Sequence, residues 1–139
     1  MPSVYFICEG NRARSQIAEA LFTAWAPPGW TTASGGTNPK ETVHPAAVDL
    51  LAEIGIDWSG RRPKPIDVHA AKRAARVIAM CSLESCPVGV REVAEHWGIP
   101  DPADVPQDRW FEIRDAIAER VKALIREIAR AAPPPEASR

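Results

Sequence analysis

The sequence predicts a single α/β domain in three layers, α/β/α, in which helices cover both faces of a four-stranded parallel sheet. Its 139 residues, 45% of them apolar, suit one domain with a core that needs no disulfide or metal to fold. Short apolar runs alternate along the chain with longer segments whose apolar residues recur at helical spacing. This alternation is typical of βαβ units with parallel strands. It extends over residues 1–132, and residues 133–139 are predicted to form a flexible tail.

The first βαβ unit is predicted from residues 4–35. Val4–Ile7 is a short continuous apolar run, as expected for a strand buried on both faces. The helix that follows ends at Pro27–Gly29, and Thr31–Gly35 is the second predicted strand. The helix is indicated by four apolar residues on one face: Ile17, Leu21, Phe22 and Trp25.

The second half of the chain continues the same alternation. A helix is predicted from Pro45, with Val48, Leu51 and Ile54 on one face, and a short helix over Asp67–Arg73. Two further strands are predicted over Val77–Met80 and Val93–Trp97. Gly98–Pro102 forms a stiff turn because its prolines restrict the backbone, and a long helix is predicted over Pro106–Ala131.

Charge and hydropathy exclude several functional classes. The formal net charge is −1, so no basic face for nucleic acid is expected. No run of roughly 18 apolar residues is present, and we predict no membrane span. Met1–Ser3 does not begin a signal peptide, which predicts a cytoplasmic protein, and we expect it to be a monomer. Thiols stay reduced there, so three cysteines are expected to be catalytic, redox-active or metal-binding.

The segment from Cys8 to Ser15 carries the strongest functional signal. Five residues separate Cys8 from Arg14, and the segment joins a predicted strand to the start of a helix. A helix N-terminus binds anions through its unpaired N–H groups, and Gly10 lets the backbone turn several of them inward. Arg14 can hold two anion oxygens, and the same features favour a thiolate at Cys8. Ser15 can donate to the sulfur, and Asn11 can tie the loop together. The alternative is a buried structural cysteine followed by an ordinary turn.

Asp101 is a candidate general acid. It lies between two prolines in the predicted stiff turn, which suits precise placement. A thiolate that attacks an oxyanion must expel an oxygen leaving group, and a carboxylic acid can protonate that oxygen. The alternative is an aspartate that only caps a turn, since aspartate is common there.

Cys81 and Cys86 suggest redox chemistry in addition to oxyanion binding. Cys8 and Cys81 each follow an apolar strand, so both are expected at the carboxyl edge of the sheet. Four residues separate Cys81 from Cys86, and such a short loop can bring two Cα atoms within the roughly 7 Å that a disulfide needs. Two alternatives stay open: a zinc site that also uses His96, and inert core cysteines.

The chain resembles thioredoxin-coupled arsenate reductases, which share the low-molecular-weight tyrosine phosphatase fold. The resemblance covers nearly the whole chain and continues into the long last helix. It is carried by Cys8–Ala20, Ser34–Thr37, Val43–Pro45, Gly55–Asp57 and His96–Pro102.

This resemblance implies a complete reaction. Cys8 attacks arsenate held by the loop and Arg14, and Asp101 protonates the leaving oxygen. Cys81 then attacks Cys8 and releases arsenite, and Cys86 leaves a Cys81–Cys86 disulfide for thioredoxin or glutaredoxin to reduce. The oxyanion, arsenate or a phosphate-like anion, is expected to contact Glu9, Gly10, Asn11, Arg12, Ala13, Arg14 and Ser15.

Two features of this chain depart from the family pattern. Glu9 stands where relatives have a small neutral residue, and an inward carboxylate would repel the anion and disfavour the thiolate, although Arg12 can offset it. The interval between Cys81 and Cys86 is also shorter than in the best-known members.

We predict no resident cofactor for this protein. Some members bind potassium through positions that match Asn11, Glu19 and Ser34. The remaining acidic ligand falls near Lys64 or Asp67, and we predict no metal.

Two other functions remain open from the sequence. Phosphotyrosine phosphatases of this fold carry Asp-Pro-Tyr, whereas Ala103 follows Asp101–Pro102 here, and Tyr5 lies in a predicted strand. A non-enzymatic oxyanion-binding or redox-sensing module is the other alternative. Trp25, Trp58 and Trp110 are interpreted as packing residues.

Overall fold

The computed structural model describes residues 2–131, so the predicted tail at 133–139 lies outside the described residues. Its centre is a parallel sheet of four strands in the order β2-β1-β3-β4. The sheet confirms the predicted strand number and direction. The strands are β1 Ser3–Cys8, β2 Thr31–Gly36, β3 Arg76–Ala79 and β4 Ala94–His96.

Five helices cover the two faces of this sheet, which confirms the three-layer α/β/α architecture. The first, second and fifth pack against one another on one face, and the third and fourth contact each other on the other face. They are α1 Arg14–Trp25, α2 Pro45–Ala52, α3 Val68–Arg73, α4 Val88–Arg91 and α5 Trp110–Ala131.

Strand β1 divides the core because its side chains alternate between the two faces. Val4, Phe6 and Cys8 belong to the larger core under α1 and α5. Tyr5 and Ile7 belong to the smaller core, which also contains Cys86. The side chains of Cys8 and Cys86 therefore lie in the cores on opposite faces of the sheet. A path between their sulfurs passes around the carboxyl edge of the sheet.

The structure differs from the predicted elements at four places. Helix α4 was not predicted, because four residues are too short for a periodic pattern. Strand β4 has only three residues, and Val93 is 51% exposed outside it. Helix α2 ends at Ala52, which leaves Ile54 43% exposed. A 3-10 turn precedes α5, which begins at Trp110 and not near Pro106.

The carboxyl ends of β1, β2 and β3 lie side by side, as their pairing register requires. Cys8 is the last residue of β1 and Cys81 lies two residues after β3, so both are at the carboxyl edge that the sequence predicts. Within residues 2–131, no helix combines the length and the hydropathy that a membrane crossing needs.

Candidate active site

The loop between β1 and α1 turns its carbonyl groups away from the space above Cys8. The N–H groups of the segment between β2 and α2 bond to four of these carbonyls. The pairs are Thr37 to Cys8 (3.2 Å), Asn38 to Glu9 (2.8 Å), Lys40 to Gly10 (3.0 Å) and His44 to Arg12 (2.9 Å). Within a trans peptide the N–H points opposite to the C=O, so the amides that follow these carbonyls face the other way. Among the described residues, no N–H of residues 9–13 donates to a protein acceptor. The loop therefore presents a row of free donors beside the start of α1, which suits an oxyanion.

A chain of hydrogen bonds leads from the Cys8 sulfur to a buried carboxylate. Cys8 Sγ lies 2.9 Å from Ser15 Oγ, and the Asn11 amide donates to both Ser15 (2.7 Å) and Ser34 (2.9 Å). Ser34 in turn donates to Glu19 Oε1 at 2.6 Å. Because Ser15 Oγ accepts from Asn11, its own proton is available to the Cys8 sulfur. The chain is thus oriented to stabilise a thiolate.

Asn11 holds this loop in a conformation that few residues adopt. Its φ is +50° and its side chain is fully buried. The amide oxygen accepts from the Lys64 N–H at 2.8 Å and from Gln16 Nε2 at 3.0 Å, which fixes the orientation of the amide group. Asparagine tolerates the left-handed region better than most residues. Here its side chain also forms hydrogen bonds through both the amide nitrogen and the amide oxygen.

Arg14 lies at the base of the same space and is anchored by backbone. Its Nη1 donates to the carbonyls of Met80 and Ile99, which follow β3 and precede Asp101 respectively. Its Nη2 lies 3.9 Å from Asp101 Oδ2. The guanidinium is 7% exposed, so its planar group is held rigidly for an anion.

Asp101 caps a turn, and its position in the cleft is also compatible with the acid role that the sequence left open. Its Oδ1 accepts from the Ala103 N–H at 2.9 Å and caps the following 3-10 turn. Its Oδ2 faces Arg14 and the side chain lines the cleft above Cys8. One oxygen fixes the carboxyl group while the other is directed to the site.

The cleft above Cys8 has a volume of about 310 Å³ and includes residues that the sequence analysis missed. Lys40, His44 and Trp110 all line it. His44 Nδ1 accepts from the Ala46 N–H at 3.0 Å, and its ring meets Trp110 edge to face at 4.6 Å. Burial, and then the charge of Arg12, lower the pKa of His44, so its neutral form is favoured. His44 before a proline was recognised only as a helix start, and Trp110 only as a core residue.

Arg12 and Glu9 lie at the mouth of this cleft, and the structure separates their roles. The Glu9 side chain is exposed, so its carboxylate is not enclosed by the loop. Glu9 also lines the cleft, and the repulsion between its carboxylate and a bound anion that the sequence analysis considered stays a prediction. Arg12 Nε is buried without a hydrogen-bond partner among the described residues. A buried donor without an acceptor is costly, and an anion in the cleft would satisfy it.

Cys81 and Cys86 are free thiols, and Cys81 packs against the smaller core that contains Cys86. The pKa of Cys81 is raised to about 12, chiefly by burial and then by the charges of Cys86 and Cys8, while the charge of Arg14 opposes this shift. Burial also raises the pKa of Cys86. Cys81 is therefore near both other sulfurs, as the sequence predicts.

The sequence analysis weighed two groups of residues as metal ligands, one for zinc and one for potassium, and predicted neither metal. No group of three His, Cys, Asp or Glu side chains within residues 2–131 is arranged to bind a metal, and His96 is exposed. This leaves the zinc alternative without a ligand set there. Asp67 caps α3, and it is Lys64 that lies near Glu19, with Nζ 3.8 Å from Oε1.

Comparison with known proteins agrees with this geometry. Residues 3–133 match the family model described as low molecular weight phosphotyrosine protein phosphatase. Arsenate reductase 2 of Staphylococcus haemolyticus (strain JCSC1435) is 34% identical over 125 residues, which are 88% of this chain and 95% of that protein.

Two solved structures of similar proteins extend the comparison. One shows an arsenate reductase in the phosphate binding state, with a TM-score of 0.78 and 30% identity, covering 92% of this chain and 99% of that chain. The other is the thioredoxin-dependent arsenate reductase of Corynebacterium glutamicum, with a TM-score of 0.80 and 29% identity, covering 95% of this chain and 64% of that chain.

Proposed function

The chain belongs to the low molecular weight phosphotyrosine protein phosphatase family, and within it we propose that this protein reduces arsenate to arsenite with three cysteines. Its arsenate reductase relatives support this reaction. The observation that carries the proposal is the position of Cys81, which follows β3 at the sheet edge where Cys8 ends β1 and packs against the smaller core that contains Cys86. A phosphatase needs only the first of these sulfurs.

Binding and the first step use the loop and Arg14. The row of free amides, the Arg14 guanidinium and the unpartnered Arg12 Nε hold the oxygens of a tetrahedral anion. The Cys8 thiolate attacks arsenic, an As–O bond breaks, and Asp101 gives its proton to the leaving oxygen, which departs as water.

Reduction takes place when the second thiol attacks the first. The Cys81 thiolate forms an S–S bond with Cys8, and the S–As bond breaks with its electron pair remaining on arsenic. Arsenic leaves as arsenite, two electrons richer, and the two thiols have become one disulfide. Cys8 no longer carries a negative charge once it is bonded to arsenic, and loss of that charge lowers the pKa of Cys81. Reaction of Cys8 with arsenic therefore makes the Cys81 thiolate easier to form.

Cys86 then restores the first sulfur. Its thiolate attacks Cys81, the Cys8–Cys81 bond breaks, and Cys8 leaves as a thiolate ready for the next anion. A dithiol protein of the thioredoxin class reduces the Cys81–Cys86 disulfide. A thioredoxin-dependent relative supports this choice of reductant over glutaredoxin.

The relay predicts different losses for the three serine variants. Cys8→Ser abolishes arsenate reduction and hydrolysis of p-nitrophenyl phosphate. Cys81→Ser and Cys86→Ser abolish multiple-turnover reduction with thioredoxin and thioredoxin reductase but retain the hydrolysis, because the anion site is unchanged. In a single turnover without reductant, Cys86→Ser still releases one arsenite per chain and Cys81→Ser releases none.

Two outcomes would contradict this proposal. One is reduction at the parent rate by both Cys81→Ser and Cys86→Ser. The other is hydrolysis of p-nitrophenyl phosphate with no arsenite formed by the parent, which would make the protein a phosphatase. Parallel assays with thioredoxin, with glutaredoxin and glutathione, and with a small thiol alone identify the reductant.

A further inference from the structure

The reaction proposed above leaves one buried charged group without a role. Glu19 lies on α1 and is 8% exposed. It ends the hydrogen-bond chain that starts at Cys8, because its Oε1 accepts from Ser34. A carboxylate withdrawn from water is destabilising unless a cation or several donors compensate it. The group that compensates Glu19 therefore bears on the conformation of the whole chain.

Lys64 is the cation nearest to this carboxylate among the ion pairs of residues 2–131, and its backbone is held in place. Its Nζ lies 3.8 Å from Glu19 Oε1. Its N–H donates to Asn11 Oδ1 at 2.8 Å, and its carbonyl accepts from the Gly36 N–H at 2.8 Å. It also lies between Pro63 and Pro65, whose rings restrict the backbone on both sides. The Lys64 ammonium therefore approaches Glu19 from a backbone position that hydrogen bonds to Asn11 and Gly36 fix.

We propose that Lys64 is a built-in counter-cation for this network, in the place where some relatives hold a potassium ion. The residues present do not fit that ion. The acidic ligand that would complete its site is replaced by an ammonium, which repels any cation that approaches Glu19. The protein consequently needs no monovalent cation to hold its anion-binding loop.

Lys64 affects the Cys8 thiolate because it stabilises the carboxylate that sets the donor–acceptor direction of the hydrogen-bond chain. A carboxylate can only accept, so Glu19 makes the Ser34 hydroxyl donate to it, and the Ser34 oxygen is left to accept from Asn11. Asn11 then presents its other proton to Ser15, whose hydroxyl proton remains for Cys8. By holding the Glu19 carboxylate in place, Lys64 is a positioning residue for the thiolate.

The test compares Lys64→Met with Lys64→Arg and with Lys122→Met as a matched control. Lys122 pairs with Glu119 at a similar distance, 3.6 Å, but on the exposed surface of α5. We measure inorganic phosphate affinity by calorimetry, Tm, and the pH profile of Cys8 alkylation, identified by peptide mass spectrometry. Each is measured in potassium chloride and in choline chloride at equal ionic strength.

We expect the parent to respond alike to both salts. Lys64→Met should bind phosphate about two- to fivefold more weakly, as for a partly exposed ion pair. Its Tm should fall and its alkylation profile should move to higher pH. Lys64→Arg should restore all three because it restores the charge, and Lys122→Met should match the parent.

A double-mutant cycle with Glu19→Gln separates charge from packing. If Lys64 acts through Glu19, Lys64→Met should have little effect on a chain that already carries Glu19→Gln. The proposal fails if the parent shows a saturable effect of potassium, if Lys64→Met equals the Lys122→Met control, or if Lys64→Arg does not restore the site. None of these measurements uses arsenate, so their outcome is independent of the reaction proposed above.

Discussion

Asp101 shows how one residue can serve the turn and the reaction at once. Its Oδ1 caps the 3-10 turn through the Ala103 N–H, and its Oδ2 faces Arg14. An asparagine in its place keeps an oxygen for the cap and removes only the acidic proton. The two roles that sequence reasoning had to weigh against each other are therefore separable by experiment.

Asp101→Asn is expected to slow the chemical step by about 10²–10⁴-fold, because no acid remains to protonate the leaving oxygen. Single-turnover release of arsenite measures this, and hydrolysis of p-nitrophenyl phosphate should fall in parallel. Tm should stay near that of the parent because the cap is retained. Asp104→Asn, in the same turn but exposed, is the control. An unaltered rate in Asp101→Asn would remove the acid role.

Single site residues can be predicted from the sequence when they lie close together along the chain. Cys8, Arg14 and Ser15 belong to one loop and helix start, so their spacing alone places them together. Lys40 and His44 come from the segment after β2, and their approach to the loop depends on the hydrogen bonds between the two segments. No periodicity marks such an approach.

At the scale of secondary structure, the end of β2 determines the shape of the anion loop. Gly35 and Gly36 pair with Ile7 and Cys8. A Cβ on Gly36 would lie 2.7 Å from the Glu9 carbonyl and 3.0 Å from the Asn11 backbone nitrogen, and neither neighbour is the end of a flexible side chain. The glycine is needed here for close approach, since its φ is not positive. The sequence marked this pair only as the end of a strand.

Gly36→Ala should therefore displace the loop. We expect a loss of about 1–3 kcal/mol in the free energy of unfolding, as for other overpacked sites, and weaker phosphate binding. Urea denaturation and calorimetry measure the two effects. Gly98→Ala is the control, because no atom lies within 4 Å of its added Cβ. Equal behaviour of the two variants would show that the β2 end does not constrain the loop.

Element boundaries were harder to predict than element types, and the reason is tertiary. Ile54 continues the apolar stripe of α2 in sequence, yet the helix ends at Ala52, and Gly55 follows with a φ of +86°. Trp25 continues the stripe of α1 but is 37% exposed, with the Lys122 ammonium 5.6 Å from its ring centroid. An apolar side chain at the right spacing is buried only where another element covers it.

At the scale of the whole molecule, the sheet separates the first and the last cysteine of the proposed reaction. Cys8 belongs to the core under α1 and α5, and Cys86 belongs to the core under α3 and α4. Cys81 follows β3 at the edge between them and is half-buried. A thiol placed there can approach both sulfurs, so the parallel topology accounts for the order of the proposed relay.

The smaller core also makes stability depend on alkaline pH. Burial raises the pKa of Cys81 from 9.0 to about 12, and burial also raises the pKa values of Cys86 and Tyr5. Each group stays neutral in the fold at a pH where the unfolded chain would ionise it. Its contribution to stability is complete below the unfolded pKa, near 9 for the thiols and 10 for the phenol, and is lost as pH rises toward the folded pKa.

The free energy of unfolding should consequently fall between about pH 9 and pH 11, by up to about 1.4 kcal/mol per pH unit for each group that ionises on unfolding. Urea denaturation with excess reductant at pH 7, 9 and 10.5 measures the decline. A Cys81→Ser/Cys86→Ser variant should be flatter over this range, and Tyr5→Phe should flatten only the upper part, because the phenol ionises last. Lysine deprotonation is common to all three proteins and cancels in the comparison. A parent whose stability is constant to pH 10.5, or a double variant that declines as steeply, would show that these thiols are not held neutral by the fold.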